Sequence, residues 1–138
     1  MDTVMIFGTF DRIHPGHLDF FRQARKHGDY MIAVIARDEN VELLKGQKPR
    51  NNEQQRLENI SKIPLIDHAR LGHIDHPPHH VILEERPSVL CLGYDQVSFI
   101  KWVEEELKKN QYPVKIIRLK PYNEEEFKSS KMSPYENE

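Results

Sequence analysis

The chain has 138 residues, enough for one domain with its own core and too few for two. A formal net charge of −2 sets aside a nucleic-acid binder held by bulk electrostatics, and no apolar run is long enough to cross a membrane as a helix. A single cysteine, Cys91, excludes an intrachain disulfide framework, and Asp2 stands where a leader would be basic, so a reducing cytoplasmic setting is expected.

The apolar run Val4-Met5-Ile6-Phe7 predicts a first strand over Thr3–Gly8, and Leu18, Phe20, Phe21 and Ala24 predict a helix over His17–His27 stopped by Gly28. Tyr30–Ala36 is continuously apolar, as in a central strand covered on both faces. Arg37–Asn51 is polar and holds Gly46 and Pro49; it reads as a loop with at most a short helical start at Asn40–Leu44. Asn52–Ile63 places Leu57, Ile60 and Ile63 on one helix face, with Asn51 or Asn52 as N-cap and Pro64 as terminator.

A short third strand is expected over His68–Leu71 and a helix over His79–Arg86, with a fourth strand over Ser88–Gly93 and Cys91 a small buried hydrophobe inside it. A helix over Ser98–Asn110 turns Phe99, Trp102, Val103 and Leu107 to the core, and Val114–Leu119 is the fifth strand. Lys120–Phe127 is a polar connection, Lys128–Met132 opens a last helical turn, and Ser133–Glu138 is a tail. Alternation of this kind predicts a single α/β domain over residues 1–138. It would be a Rossmann-like, open, parallel five-stranded sheet with helices on both faces, and 128–138 a mobile C-terminal segment. Ligands then belong in the crevice at the carboxyl ends of the strands.

The chemistry gathers at the first such end, Gly8-Thr9-Phe10-Asp11-Arg12-Ile13-His14-Pro15-Gly16-His17. Gly8 ends the strand and leaves room for a ligand against the backbone, Pro15 fixes a dihedral, and Gly16 lets the chain enter the helix without a β-carbon. His14 and His17 then stand beside the unpaired N–H groups of a helix N-terminus, both expected to face the crevice as parts of a phosphate cradle. Two histidines three apart can also be surface residues or metal ligands; Asp11 is the one nearby candidate for a third ligand, and the first candidate for holding the water around an ion carried by the substrate. The spacing of His73, His76, His79 and His80 around Pro77-Pro78 gives no ordered tetrahedral set.

Gly8-Thr9-Phe10-Asp11 followed by His14-Pro15-Gly16-His17 resembles the signature of the cytidylyltransferase-like nucleotidyltransferases, which carry a HIGH-type motif. The resemblance extends over nearly the whole chain. Lys45 and Lys48, followed by Arg56 on the next helix, resemble a segment that contacts phosphates and acceptor, although alone they would read as a solvated basic loop. Gly93-Tyr94-Asp95 resembles a fourth-strand Gly-x-Asp, where Gly93 admits the nucleotide ring and Asp95 accepts from ribose or base, or caps the following helix. Lys128-Ser129-Ser130-Lys131 resembles the C-terminal Ser/Thr motif, whose hydroxyls suit β- and γ-phosphates.

The resemblance thus implies nucleotide binding by Gly8, Thr9, Phe10, His14, Gly16, His17, Gly93, Asp95, Ser129 and Ser130. It implies catalysis by His14, His17, Lys45, Ser129 and Ser130, and acceptor binding by Lys45, Lys48, Arg56 and Tyr122, with no protein metal ligand. The implied reaction is in-line attack of a phosphate monoester on the α-phosphorus of a nucleoside triphosphate, with Mg2+ or another divalent ion carried by the triphosphate. Cys91-Leu92-Gly93-Tyr94-Asp95-Gln96 and the stretch from Pro121-Tyr122 to Lys131 are more similar to archaeal-type FAD synthases, which join AMP from ATP to FMN. Glycerol-3-phosphate cytidylyltransferases, using CTP, are the next reading. Phosphopantetheine and sugar-phosphate nucleotidyltransferases, and a non-catalytic nucleotide-binding regulator, stand further out. Members of the family are commonly homodimers, and neither nucleic acid nor membrane is an expected partner.

Overall fold

The computed structural model describes residues 2–74, 79–93, 96–112 and 114–121. Five strands, β1 (Thr3–Gly8), β2 (Tyr30–Ile35), β3 (His68–Leu71), β4 (Val89–Leu92) and β5 (Lys115–Arg118), form one parallel sheet in the order β3-β2-β1-β4-β5. The chain winds outward from β1 to β3, then crosses back to β4, which makes the gap between β1 and β4 the point where strand order reverses.

Alternation along β1 separates two cores, as a period of two requires. Val4 and Ile6 pack with Phe21 and Ala24 of α1 (Pro15–Arg25) and Ile60 of α3 (Glu53–Ser61). Met5 and Phe7 face Val81 and Ile82 of α4 (His79–Glu85) and Val103 and Leu107 of α5 (Val97–Lys109). Helices therefore cover both faces, as expected, and Cys91 is a buried member of the first core, where burial pushes its thiol up to about 12. Among the described residues, no helix is long and apolar enough to cross a membrane.

Three expectations change. Arg37–Asn51 is not simply a loop: α2 occupies Asp38–Lys45, starting on Asp38 and Glu39, which suit a helix N-terminus, and closing on Gly46. At φ 75 Gly46 takes the left-handed conformation that ends the helix, so the glycine read as loop punctuation is a C-cap. Trp102 is 36% exposed at the margin of α5, because the core takes Val103 and Leu107. Helix α1 begins earlier, at Pro15, and stops at Arg25 with Lys26 as its C-cap.

β1 and β4 pair over only Val4↔Val89 and Met5↔Leu90. Beyond those pairs the connection is made by a side chain. Gln96 Oε1 accepts from Gly93 N–H at 2.7 Å, and Gln96 Nε2 donates to the Phe7 carbonyl at 3.3 Å. One amide thus spans the strand ends where the crevice opens.

Candidate active site

His14 has extended backbone and is the N-cap of α1. Its Nδ1 accepts from Gly16 N–H at 3.1 Å and His17 N–H at 3.4 Å, while its carbonyl accepts from His17 N–H at 2.9 Å. A ring nitrogen that accepts two N–H groups carries no hydrogen, so the neutral ring has its donor at Nε2. Gly16 supplies one of these N–H groups from the first turn, and Pro15, which has none to satisfy, suits the opening position.

His17 departs from the expectation that both imidazoles line the crevice. It is 3% exposed, with its ring stacked on His14 at 3.8 Å and meeting Phe10 edge-on at 5.6 Å. Its position three residues after the cap and four before Phe21 turns it toward the core, so His14 is the outer ring of the pair.

Phe10 is likewise repositioned. It is 1% exposed within the core and left-handed at φ 52, a strained conformation for a bulky residue. Its ring covers Gly8, where an added Cβ would stand 2.6 Å from Phe10 Cζ. The glycine therefore makes room for Phe10 on that side. Among the expected nucleotide contacts, Phe10 can offer its backbone but not its ring.

Lys45 lies on α2 and brings its Nζ within 3.1 Å of the Thr9 hydroxyl, joining the second strand's helix to the end of β1. Lys48 is exposed in the turn before α3. Arg56 is corrected from a substrate contact to a buried pillar, with no part of it exposed. Its guanidinium donates to the carbonyls of Thr9 at 2.9 Å, Ala36 at 2.7 Å and Asn51 at 3.0 Å, and to Asp38 Oδ1 at 2.7 Å. A charge so deep is tolerable because its donors are satisfied and a carboxylate accompanies it.

Asp11 is also structural here: Oδ2 accepts from Arg50 N–H at 2.7 Å and Oδ1 from Asn51 N–H at 2.8 Å. These two bonds tie Asp11 to the start of the segment that leads into α3. Among the described residues, no group of three or more His, Cys, Asp or Glu could hold an ion. His73 pairs with Glu84 at 2.6 Å, and this hydrogen bond holds the Glu84 carboxyl below the usual range.

Gly93 ends β4 and receives the Gln96 side chain. Asp95, Tyr94, Tyr122, Lys128, Ser129, Ser130, Lys131 and His76, and the expectation for 128–138, lie outside the described residues, as do the side chains of His79 and Phe99. Arg37, Asn40 and Leu44 were not anticipated. With Thr9 they line a cavity at the carboxyl ends of β1, β2 and β3. Had α2 been recognised, the spacing Arg37, Asn40, Leu44 would have placed all three on one helix face.

The sequence profile of the cytidylyltransferase-like family matches residues 5–133. An FAD synthase from Aciduliprofundum boonei is 41% identical over 131 residues, covering 95% of this chain and 87% of that protein. One from Archaeoglobus profundus is 40% identical over 130 residues, covering 94% and 82%. A solved lipopolysaccharide core biosynthesis protein from Thermoplasma volcanium superposes with a TM-score of 0.82 at 33% identity, covering 89% of this chain and 99% of that one. Pantothenate synthetase from Thermus thermophilus, at 12% identity and TM-score 0.66 over 99% of this chain and 64% of its own, shares the fold alone.

Proposed function

This chain belongs to the cytidylyltransferase-like family, and on that premise we propose that it is an FMN adenylyltransferase, moving AMP from ATP to the phosphate of FMN with release of pyrophosphate. The observation that carries the site is the meeting at the end of β1 of the His14-capped helix N-terminus and the Lys45–Thr9 pair. An imidazole Nε2–H and an ammonium, beside the positive end of the α1 dipole, are the groups that a triphosphate calls for as charge builds on the departing pyrophosphate. An FMN phosphate oxygen forms the new bond to the α-phosphorus as the bond to the β-phosphate oxygen breaks. The acceptor is already anionic, so positioning and charge neutralisation suffice, and no base is needed.

His17 supports the His14 ring by stacking. Lys45 neutralises phosphate charge, and Lys48 and Tyr122 serve the acceptor. The strand-end position of Gly93 and the sequence motifs containing Asp95, Ser129 and Ser130 support their assignment to the nucleotide. A divalent ion, Mg2+ by preference, enters as part of the ATP substrate. We place the active form as a homodimer in the cytoplasm, acting through one domain over residues 1–138.

The test is a panel: the purified chain with Mg2+ and ATP or CTP, each with FMN or glycerol 3-phosphate, scored by pyrophosphate release and product chromatography. FAD from ATP and FMN is the expected product. Turnover confined to CTP and glycerol 3-phosphate would overturn the assignment.

A further inference from the structure

β1 and β4 part just where the crevice opens, and the register of the sheet identifies the bond that Gln96 replaces there. On the β2 side Gly8 pairs with Ile35, and the Gly8 carbonyl accepts from Ala36 N–H at 3.0 Å, one residue beyond the pair. A parallel ladder repeats that slanted step. On the β4 side Met5 pairs with Leu90, a register that carries Phe7 opposite Leu92. A continued ladder would therefore join the Phe7 carbonyl to Gly93 N–H. Both groups bond to Gln96 in its place: Oε1 accepts from Gly93 N–H at 2.7 Å, and Nε2 donates to the Phe7 carbonyl at 3.3 Å. One side-chain amide is inserted into one ladder bond.

The inserted amide is also held from behind. Gln96 is the N-cap of α5, but its side chain makes no cap bond. Its backbone N–H donates to the Gly93 carbonyl at 3.1 Å, so Gly93 and Gln96 share two hydrogen bonds and the turn between them is closed from both sides. With its oxygen and an amide hydrogen engaged by backbone, the side chain is a spacer of fixed length. The place gives a spacer leverage. Phe7 stands two residues before Thr9, whose hydroxyl meets Lys45, and Gly93 follows directly on β4.

Resting on the reading above, in which the nucleotide lies against Gly93 and its phosphates meet His14 and Lys45, we propose that Gln96 is a positioning residue for adenylyl transfer. Its amide sets the width of the opening between β1 and β4, and so holds the Gly93 side of the nucleotide site in line with the phosphate cradle. In-line displacement tolerates little error: a misplacement of about 1 Å can cost roughly a hundred-fold in rate. Strand ends that close onto each other, or that drift apart, would each shift one half of the site against the other.

The test compares Gln96→Glu and Gln96→Ala with wild type in steady-state kinetics of the full chain with Mg2+, ATP and FMN, between pH 5.5 and pH 8 and below each melting temperature. A neutral carboxyl keeps both bonds, one oxygen accepting from Gly93 and the other donating its proton to the Phe7 carbonyl. A carboxylate can only accept, and it faces that carbonyl with a charge, which pushes the introduced carboxyl above its ordinary range. The kcat of Gln96→Glu should be at least ten-fold below wild type at pH 8, and its ratio to wild type should climb at least five-fold by pH 5.5. Taking the ratio removes the titration of His14 and of His73, which with Arg37 lines the cavity that Gln96 also borders. Gln96→Ala should stay at least ten-fold down in kcat at every pH, with the KM for FMN within three-fold of wild type. Should Gln96→Ala melt below the assay temperature, the pH profile of Gln96→Glu decides. A Gln96→Glu ratio that does not change with pH, or a wild-type kcat in Gln96→Ala, would overturn the positioning role while FMN adenylylation stands. So would a KM for FMN that rises with kcat unchanged, which would make Gln96 a substrate contact. A wild-type chain that forms no FAD would overturn the activity itself, and this role with it.

Discussion

The ring of Phe10 lies over Gly8 so closely that a Cβ on Gly8 would meet Phe10 Cζ at 2.6 Å. Phe10 is held in the core and has no room to retreat. Gly8→Ala should destabilise the fold by about 1–3 kcal/mol, the usual cost of overpacking. Urea unfolding measures it, and the same substitution in a Phe10→Leu background should cost less. An equal cost in both backgrounds would show that the ring is not what excludes the methyl.

His14 combines two roles that substitution can separate. As an N-cap its loss should cost about 1 kcal/mol of stability, and as a phosphate donor its loss should lower kcat roughly a hundred-fold. Asn at an N-cap offers a side-chain oxygen, so His14→Asn should regain the melting temperature lost in His14→Ala while staying equally inactive. Activity that returns along with stability would assign His14 to the cap alone.

Arg56 joins Thr9, Ala36, Asn51 and Asp38 through one buried guanidinium. Arg56→Ala leaves those carbonyls and a carboxylate unanswered, and should cost about 3–5 kcal/mol. Thermal melting with and without ATP distinguishes this from a lost substrate contact. A variant that melts like wild type, yet binds ATP poorly, would return Arg56 to the ligand.

Asp67 accepts from the Met31 N–H at 2.7 Å and from Arg25, and these bonds hold its carboxyl below the usual value, the Met31 bond foremost. A depressed native pKa contributes stability that is present above the unfolded value and is lost as pH falls through the native one. Urea midpoints of wild type and Asp67→Asn should therefore differ near pH 7 and draw together progressively as pH falls below about 4. A gap as wide at pH 3 as at pH 7 would assign the difference to something other than ionisation.

How far the sequence could be read depended on how strongly each element commits its side chains. β1, β2 and β4 are buried on both faces, so their apolar runs admit little else. Helix α2 was obscured because it turns only Val41 into the core and leaves Leu43 and Leu44 outside. The histidine pair was legible as a motif, but two donors in a string of letters look equivalent. Only the helix geometry sends His17 inward and keeps His14 at the cap. Arg56 carried a readable signal, since it stands four residues before Ile60 on the core-facing side of α3. Its charge argued for solvent, and nothing local shows the carbonyls of Thr9 and Ala36 converging on it. Gln96 was hidden for a related reason: its acceptor on Phe7 is 89 positions away.

Cys91, the chain's one thiol, is fully buried, and burial keeps it protonated at any ordinary pH. The folded protein is therefore silent to alkylating reagents. Maleimide coupling would report on β4 only when the strand separates from its neighbours, which makes the native residue a clock for opening of the sheet's centre. For the same reason, a cysteine introduced on the surface would be labelled alone. A fluorophore at Lys48, for example, could follow ATP or FMN binding with the wild-type thiol left in place.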